Sequence, residues 1–208
     1  TPGTPTTGSV FVYSYNSITW SAGTNNTSIT IGKSVTWNGS VWVATGQNTA
    51  GNSTSTVFAY SPDGITWSSG SNGTTMTIGN NVTWNDKLGN VTIKHPIIAM
   101  GTANTTHSIA YSSNNGLSWS GLSTTLFSTK GNGVVWNGTL WVGLGEGTNT
   151  LAYSYNGLNW TGLGNTIFTS NGNKAIWNGS KFIAVGSGTN TIASSSDGIT
   201  WSGVANTM

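Results

Sequence analysis

Short apolar runs recur along the chain, each bounded by clusters of Gly, Asn, Ser and Thr. Val41-Trp42-Val43-Ala44 and Val57-Phe58-Ala59-Tyr60 are two of them, rich in β-branched and aromatic residues and partly alternating. Alternate side chains of an extended backbone point to opposite faces, so this composition and spacing predict strands with one buried side. No segment sustains the 3.6-residue period of an amphipathic helix. The pattern predicts an all-β chain built from many short strands.

The runs are not independent. Tyr60-Ser61-Pro62-Asp63-Gly64-Ile65-Thr66-Trp67 has counterparts at Tyr13–Trp20, Tyr111–Trp119, Tyr153–Trp160 and Ser194–Trp201. A second unit, Val35-Thr36-Trp37-Asn38-Gly39-Ser40-Val41-Trp42-Val43-Ala44-Thr45-Gly46, recurs at Val134–Gly145 and Ala175–Gly186. An enlarged copy runs from Val82 to Gly101. Successive tryptophans at 20, 67, 119, 160 and 201 set a period of 41 to 52 residues, and all 11 Trp fall on repeat positions. Each unit reads as a hairpin. Asp63-Gly64, Asn156-Gly157 and Asp197-Gly198 in the first unit, and Asn38-Gly39, Asn137-Gly138 and Asn178-Gly179 in the second, are the pairs expected to supply two positive-φ residues to a type I′ turn.

Two hairpins per repeat make one four-stranded antiparallel sheet, and sheets repeating at this period predict a β-propeller-like fold of four to five blades. The expected layout is a Thr/Pro linker at 1–8 and a single domain at 9–208. Within that domain lie a half-blade at 9–21 and blades at about 33–68, 80–120, 132–161 and 173–202. The first unit occurs five times and the second only four, so one hairpin lacks its partner. An unpaired hairpin exposes strand edges and an apolar face. That predicts either further repeats in the natural chain or, the favoured alternative, docking of the half-blade on another copy, as a ring or as a filament.

Composition narrows the function classes. Only 5% of residues are charged, yet 35% are hydrophobic and 11% aromatic, which excludes a disordered polar tail. The basic residues are six lysines without a run, so no nucleic-acid footprint is expected. Cysteine is absent, which removes thiolate chemistry and disulfides. No apolar run approaches the roughly 20 residues of a helical membrane span, and no membrane insertion is expected. A surface so poor in charge suits an extracellular, cell-surface or virion-surface setting better than a crowded cytosol.

Ser61-Pro62-Asp63-Gly64-Ile65-Thr66-Trp67 and Ser195-Ser196-Asp197-Gly198-Ile199-Thr200-Trp201 resemble a shortened Asp-box, the Ser-x-Asp-x-Gly-x-Thr-Trp hairpin of sialidase-like β-propellers. Three of the five copies carry Asn16, Asn114 or Asn156 near the acidic position. The pairing with Trp-Asn-Gly-x-x-Trp-Val-Ala also resembles repeat proteins of giant viruses and microbial surfaces. The resemblance implies a structural role for Asp63, Asp197 and Asn156 in their turns, as the Asn-Gly turn chemistry already does for Asn38, Asn137 and Asn178. For a sialidase it would also imply an arginine cluster and a Tyr–Glu pair, and this chain has no Arg.

Catalytic chemistry finds little else. The acids are Asp63, Asp86, Glu146 and Asp197; Asp63 and Asp197 sit in equivalent turns of separate repeats, not across one cleft as a glycosidase pair must. His95 and His107 lack a neighbouring ligand motif, and Gly143-Leu144-Gly145-Glu146-Gly147 opens no helix. No enzyme activity, metal or cofactor is expected.

Binding is the remaining class. Tyr15 and Tyr155 alternate out of phase with Tyr13 and Tyr153 and are candidate carbohydrate contacts. Asn26, Asn52, Asn72 and Asn104 head Asn-x-Ser/Thr triplets in expected loops and are candidate N-glycosylation sites. The enlarged turn holds Asp86, Lys87, Lys94 and His95, a local concentration of charge; Lys87, Lys94 and His95 are candidate partner contacts. The expected function is a non-catalytic structural or adhesive module that self-associates, with a lectin-type glycan-binding propeller as the alternative.

Overall fold

The computed structural model describes residues 9–49, 56–84, 96–103, 106–122 and 125–205. Asp86, Lys87, Lys94, His95, Asn52 and Asn104, together with the 1–8 linker, lie outside them. The described residues are all β, without a helix.

Four antiparallel sheets of four strands account for most of the chain. The first, blade A, comprises β4 (Ile31–Trp37), β5 (Trp42–Gln47), β6 (Phe58–Ser61) and β7 (Thr66–Ser69). Blade B comprises β9 (Met76–Thr83), β10 (Ile97–Ala103), β11 (Ile109–Ser112) and β12 (Ser118–Leu122). Blade C comprises β13 (Lys130–Trp136), β14 (Trp141–Glu146), β15 (Leu151–Ser154) and β16 (Thr161–Gly162). Blade D comprises β17 (Asn171–Trp177), β18 (Phe182–Ser187), β19 (Asn190–Ser195) and β20 (Ser202–Ala205). Ahead of them stands a lone hairpin, β1 (Val12–Tyr13) with β2 (Ser21–Ala22). Two short strands, β3 (Thr24–Asn26) and β8 (Ser71–Gly73), carry the chain onward by pairing in parallel with β7 and β12 of the following blade.

The Trp-Asn-Gly turns need one positive-φ residue each, not the two the sequence suggested. Gly39, Gly138 and Gly179 have φ of 91°, 97° and 96°, but the preceding asparagines have ordinary negative φ. Asn38 N–H donates to the Val41 carbonyl at 3.1 Å, so Gly39 and Ser40 are the two central residues. Positive φ at the first central residue only is the type II′ arrangement, not type I′. Asn38 serves with its side chain, its Oδ1 accepting the Ser40 and Val41 amides at 3.1 and 2.8 Å. Asn137 and Asn178 do the same. Beside the turn, Trp37–Trp42, Trp136–Trp141 and Trp177–Phe182 face each other at 5.1, 4.9 and 4.7 Å across the two strands.

The core lies between blades. One cluster joins Leu144 and Leu151 of blade C to Ala175, Phe182 and Trp201 of blade D. Others join Val43 and Phe58 of A to Val82 and Trp119 of B, and Met100 and Ile109 of B to Val134 and Trp141 of C. The fourth and smallest joins Phe11 of the half-blade to Ala44, Ala59 and Trp67 of A. Two of the four interfaces share a motif, an aromatic of one blade lying flat on the box tryptophan of the next, Phe58 on Trp119 at 4.2 Å and Phe11 on Trp67 at 4.1 Å; at the other two, Ile109 and Leu151 hold the equivalent buried position.

Each inner strand carries a bulge at one place, skipping Lys33, Asn80, Asn132 and Asn173 in β4, β9, β13 and β17. The bulge re-aims a side chain between blades. Asn80 donates to the Gly131 carbonyl of blade C and Asn132 to the Gly172 carbonyl of blade D, both at 2.9 Å.

Candidate functional site

The box hairpins are clamped by their acids. The Asp63 carboxylate accepts the Ile65 and Thr66 amides and the Ser61 hydroxyl, each at 2.8 Å, while Ser61 Oγ accepts the Gly64 amide. The Trp67 indole N–H closes the loop on the Gly64 carbonyl at 3.2 Å. Asp197 makes the same set with Ser195, Ile199 and Thr200. Hydrogen bonds to the ionised form, led by the Thr66 amide for Asp63 and by the Ile199 amide for Asp197, hold both carboxyls down at about 2 against the usual 3.8. Asn156 substitutes its amide oxygen, accepting Leu158 and Asn159. Here too only the glycines, Gly64, Gly157 and Gly198, have positive φ; the acid contributes through its side chain, not its backbone. Glu146 is engaged otherwise, 3.0 Å from Lys130 across the β13–β14 pair. Among the described residues no three His, Asp or Glu side chains come together as a metal site would require.

The opening that gathers most exposed aromatics is a cavity of about 810 Å³ between the half-blade and blade A. Its walls include Tyr13, Tyr15, Trp20, Trp42 and Asp63, and Lys33 and Lys174 reach it from β4 and β17. Lys174 belongs to the last blade, so the far end of the chain returns to the same cavity as the first hairpin. The side of this cavity that faces blade D, where Lys174 reaches it, is the seam of the molecule.

Of the sequence candidates, Tyr15 lies in this cavity and is 89% exposed, edge-on to Tyr13 at 5.5 Å. Tyr155 is also exposed, edge-on to Tyr153 at 5.9 Å, on blade C and away from the cavity lining. The two tyrosines are therefore equivalent but do not converge. Asn26 and Asn72, expected in loops, stand instead on the short strands β3 and β8. Asn26 is exposed; Asn72 is half-buried and its Oδ1 accepts from the Thr74 amide and hydroxyl at 3.1 and 2.7 Å. Sequence reasoning did not single out Trp20, Trp42, Lys33 and Lys174, because no local motif signals a cavity closed by residues over 150 positions apart.

No protein-family model matches the chain, and no curated protein matches it. Solved structures do. YCF48 from Cyanidioschyzon merolae aligns at a TM-score of 0.56 and 15% identity, over 88% of this chain and 58% of that one. The GH74 enzyme of Niastella koreensis aligns at 0.53 and 16%, over 89% and 25%. The computationally designed Ika8 protein aligns at 0.52 and 7%, over 81% and 46%. The fold is that of a β-propeller. The chain spans from a quarter to under three fifths of the length of these structures.

Proposed function

We propose that this chain is a non-catalytic propeller module of an extracellular or particle surface, working as a structural or adhesive element that self-associates through its seam. One observation carries the reading. Val82, Val134 and Ala175 occupy one column of the inner strands and are buried to within 6% exposure against the preceding blade, whereas Val35 in the same column is 54% exposed. On the opposite wall Met100 and Leu144 are fully buried, whereas the equivalent Val185 is 44% exposed. Ile176, Ile192 and Val204 of blade D are exposed with it. The two ends of the chain thus carry complementary halves of an interface the molecule makes internally between every pair of blades, and head-to-tail contact between copies covers both.

Light scattering across a wide concentration range tests this. The wild-type mass should rise with concentration, and Val185→Asp with Ile192→Asp should hold the chain monomeric with an unchanged melting temperature. A wild-type monomer at every concentration would refute it.

The cavity favours a second reading, carbohydrate binding. Tyr13, Tyr15 and Trp20 offer aromatic faces, and Asp63 and Lys33 polar groups, in one opening. Saturable binding on a glycan array, lost in Tyr15→Ala, is the outcome this reading expects.

A further inference from the structure

In every complete blade the third strand is paired on both sides: β6 between β5 and β7, β11 between β10 and β12, β15 between β14 and β16, β19 between β18 and β20. β1 holds the same repeat position and, among the described residues, pairs only with β2. Its free edge has a known direction. The Phe11 carbonyl accepts the Gly23 amide on the β2 side, as the Phe58 carbonyl accepts the Gly70 amide on the β7 side. Alternation along a strand then turns the Val12 N–H and C=O toward the seam.

Two further features of the seam match that edge. Asn173 stands at the bulge position from which Asn80 and Asn132 reach a glycine carbonyl of the next inner strand. Asn173 makes no such bond among the described residues, and it is exposed. The apolar columns at Val35 and Val185 continue the interfaces already present between blades A, B, C and D. A strand edge, an amide awaiting a carbonyl and two apolar walls are what a blade's inner hairpin satisfies elsewhere in the molecule.

We infer that the seam is a docking slot for one β-hairpin of the Trp-Asn-Gly type, entering antiparallel to β1 as the two inner strands of a fifth blade. Its chemistry is that of residues 171–187: a bulge glycine carbonyl for Asn173, apolar residues toward Val35 and Val185, and a type II′ turn. The inference goes beyond self-association and does not require it.

The probe is a synthetic peptide of residues 165–188, added to the full chain at a concentration where light scattering gives a monomer. Saturable one-to-one binding is expected, with a raised melting temperature and slowed amide exchange at residues 10–13. Val12→Pro, which removes the seam-facing N–H but spares the β2 side, should weaken binding about tenfold. Where the peptide aggregates, the same residues fused to the chain's C-terminus provide the measurement, and a higher melting temperature with protection at 10–13 is the supporting result. No protection at 10–13 with either form overturns the inference. So does protection of those amides only by raising the concentration of the chain itself, since a second copy then fills the slot. A chain that stays monomeric at every concentration yet binds the peptide defeats the self-association reading and leaves this one standing.

Discussion

Asp63 and Asp197 do with a carboxylate what Asn16 and Asn156 do with an amide oxygen, accepting the amides two and three residues further along the turn. The difference appears only in acid. A carboxyl near 3.8 unfolded and about 2 folded contributes stability above the unfolded value and loses it as pH falls through about 2. The melting temperature should therefore decline between about pH 4 and pH 2. In Asp63→Asn with Asp197→Asn, a scanning calorimeter should find a shallower decline and an unchanged fold at neutral pH. A second residue-scale outlier is Ser17, at φ 60° where Gly64, Gly116, Gly157 and Gly198 stand in the other hairpins. A left-handed non-glycine residue costs about 1 kcal/mol. Ser17→Gly should slow amide exchange within the half-blade, with little change elsewhere.

At the scale of elements, the stacked aromatics allow a controlled comparison. Phe58 is fully buried on Trp119 between two complete blades, and Phe11 makes the equivalent stack on Trp67 at the incomplete one. Phe58→Ala should destabilise the whole domain by about 3–5 kcal/mol, through lost burial and the cavity left behind. Phe11→Ala should release the β1–β2 hairpin to limited proteolysis while barely moving the global melting temperature. Equal losses from both would mean the half-blade unfolds only with the rest. The strands around these residues were readable from the chain, since alternation and Asn-Gly punctuation are local signals. The type II′ geometry was not: Asn-Gly is compatible with two primed turns, and the choice rests on backbone angles the flanking strands impose. Nor did the bulges at Lys33, Asn80, Asn132 and Asn173 announce themselves, because an inserted residue is defined by its partner strand.

At the scale of the molecule, the count of hairpins already contained the half-blade, but the cavity did not follow from it. Lys174 and Tyr15 meet the same opening only because four blades of curvature separate them, and no window of sequence encodes that sum. The incomplete ring also orders the chain's stabilities. Blades B and C are each covered on both faces, by clusters that include Met100, Ile109, Phe127, Leu144 and Leu151. Among the described residues, the half-blade and blade D each lack one neighbour. In a repeat array, stability accrues from nearest-neighbour interfaces, so terminal units open at lower free energy than central ones. Hydrogen exchange of the monomer should accordingly be slowest in β10, β13 and β14, faster in β19 and β20, and fastest in β1 and β2. Occupation of the seam, by a hairpin or by another copy, adds the missing interface to both ends at once. Exchange at β1 and at β19 should then slow together, and protection of one without the other would mean the two walls do not share an occupant.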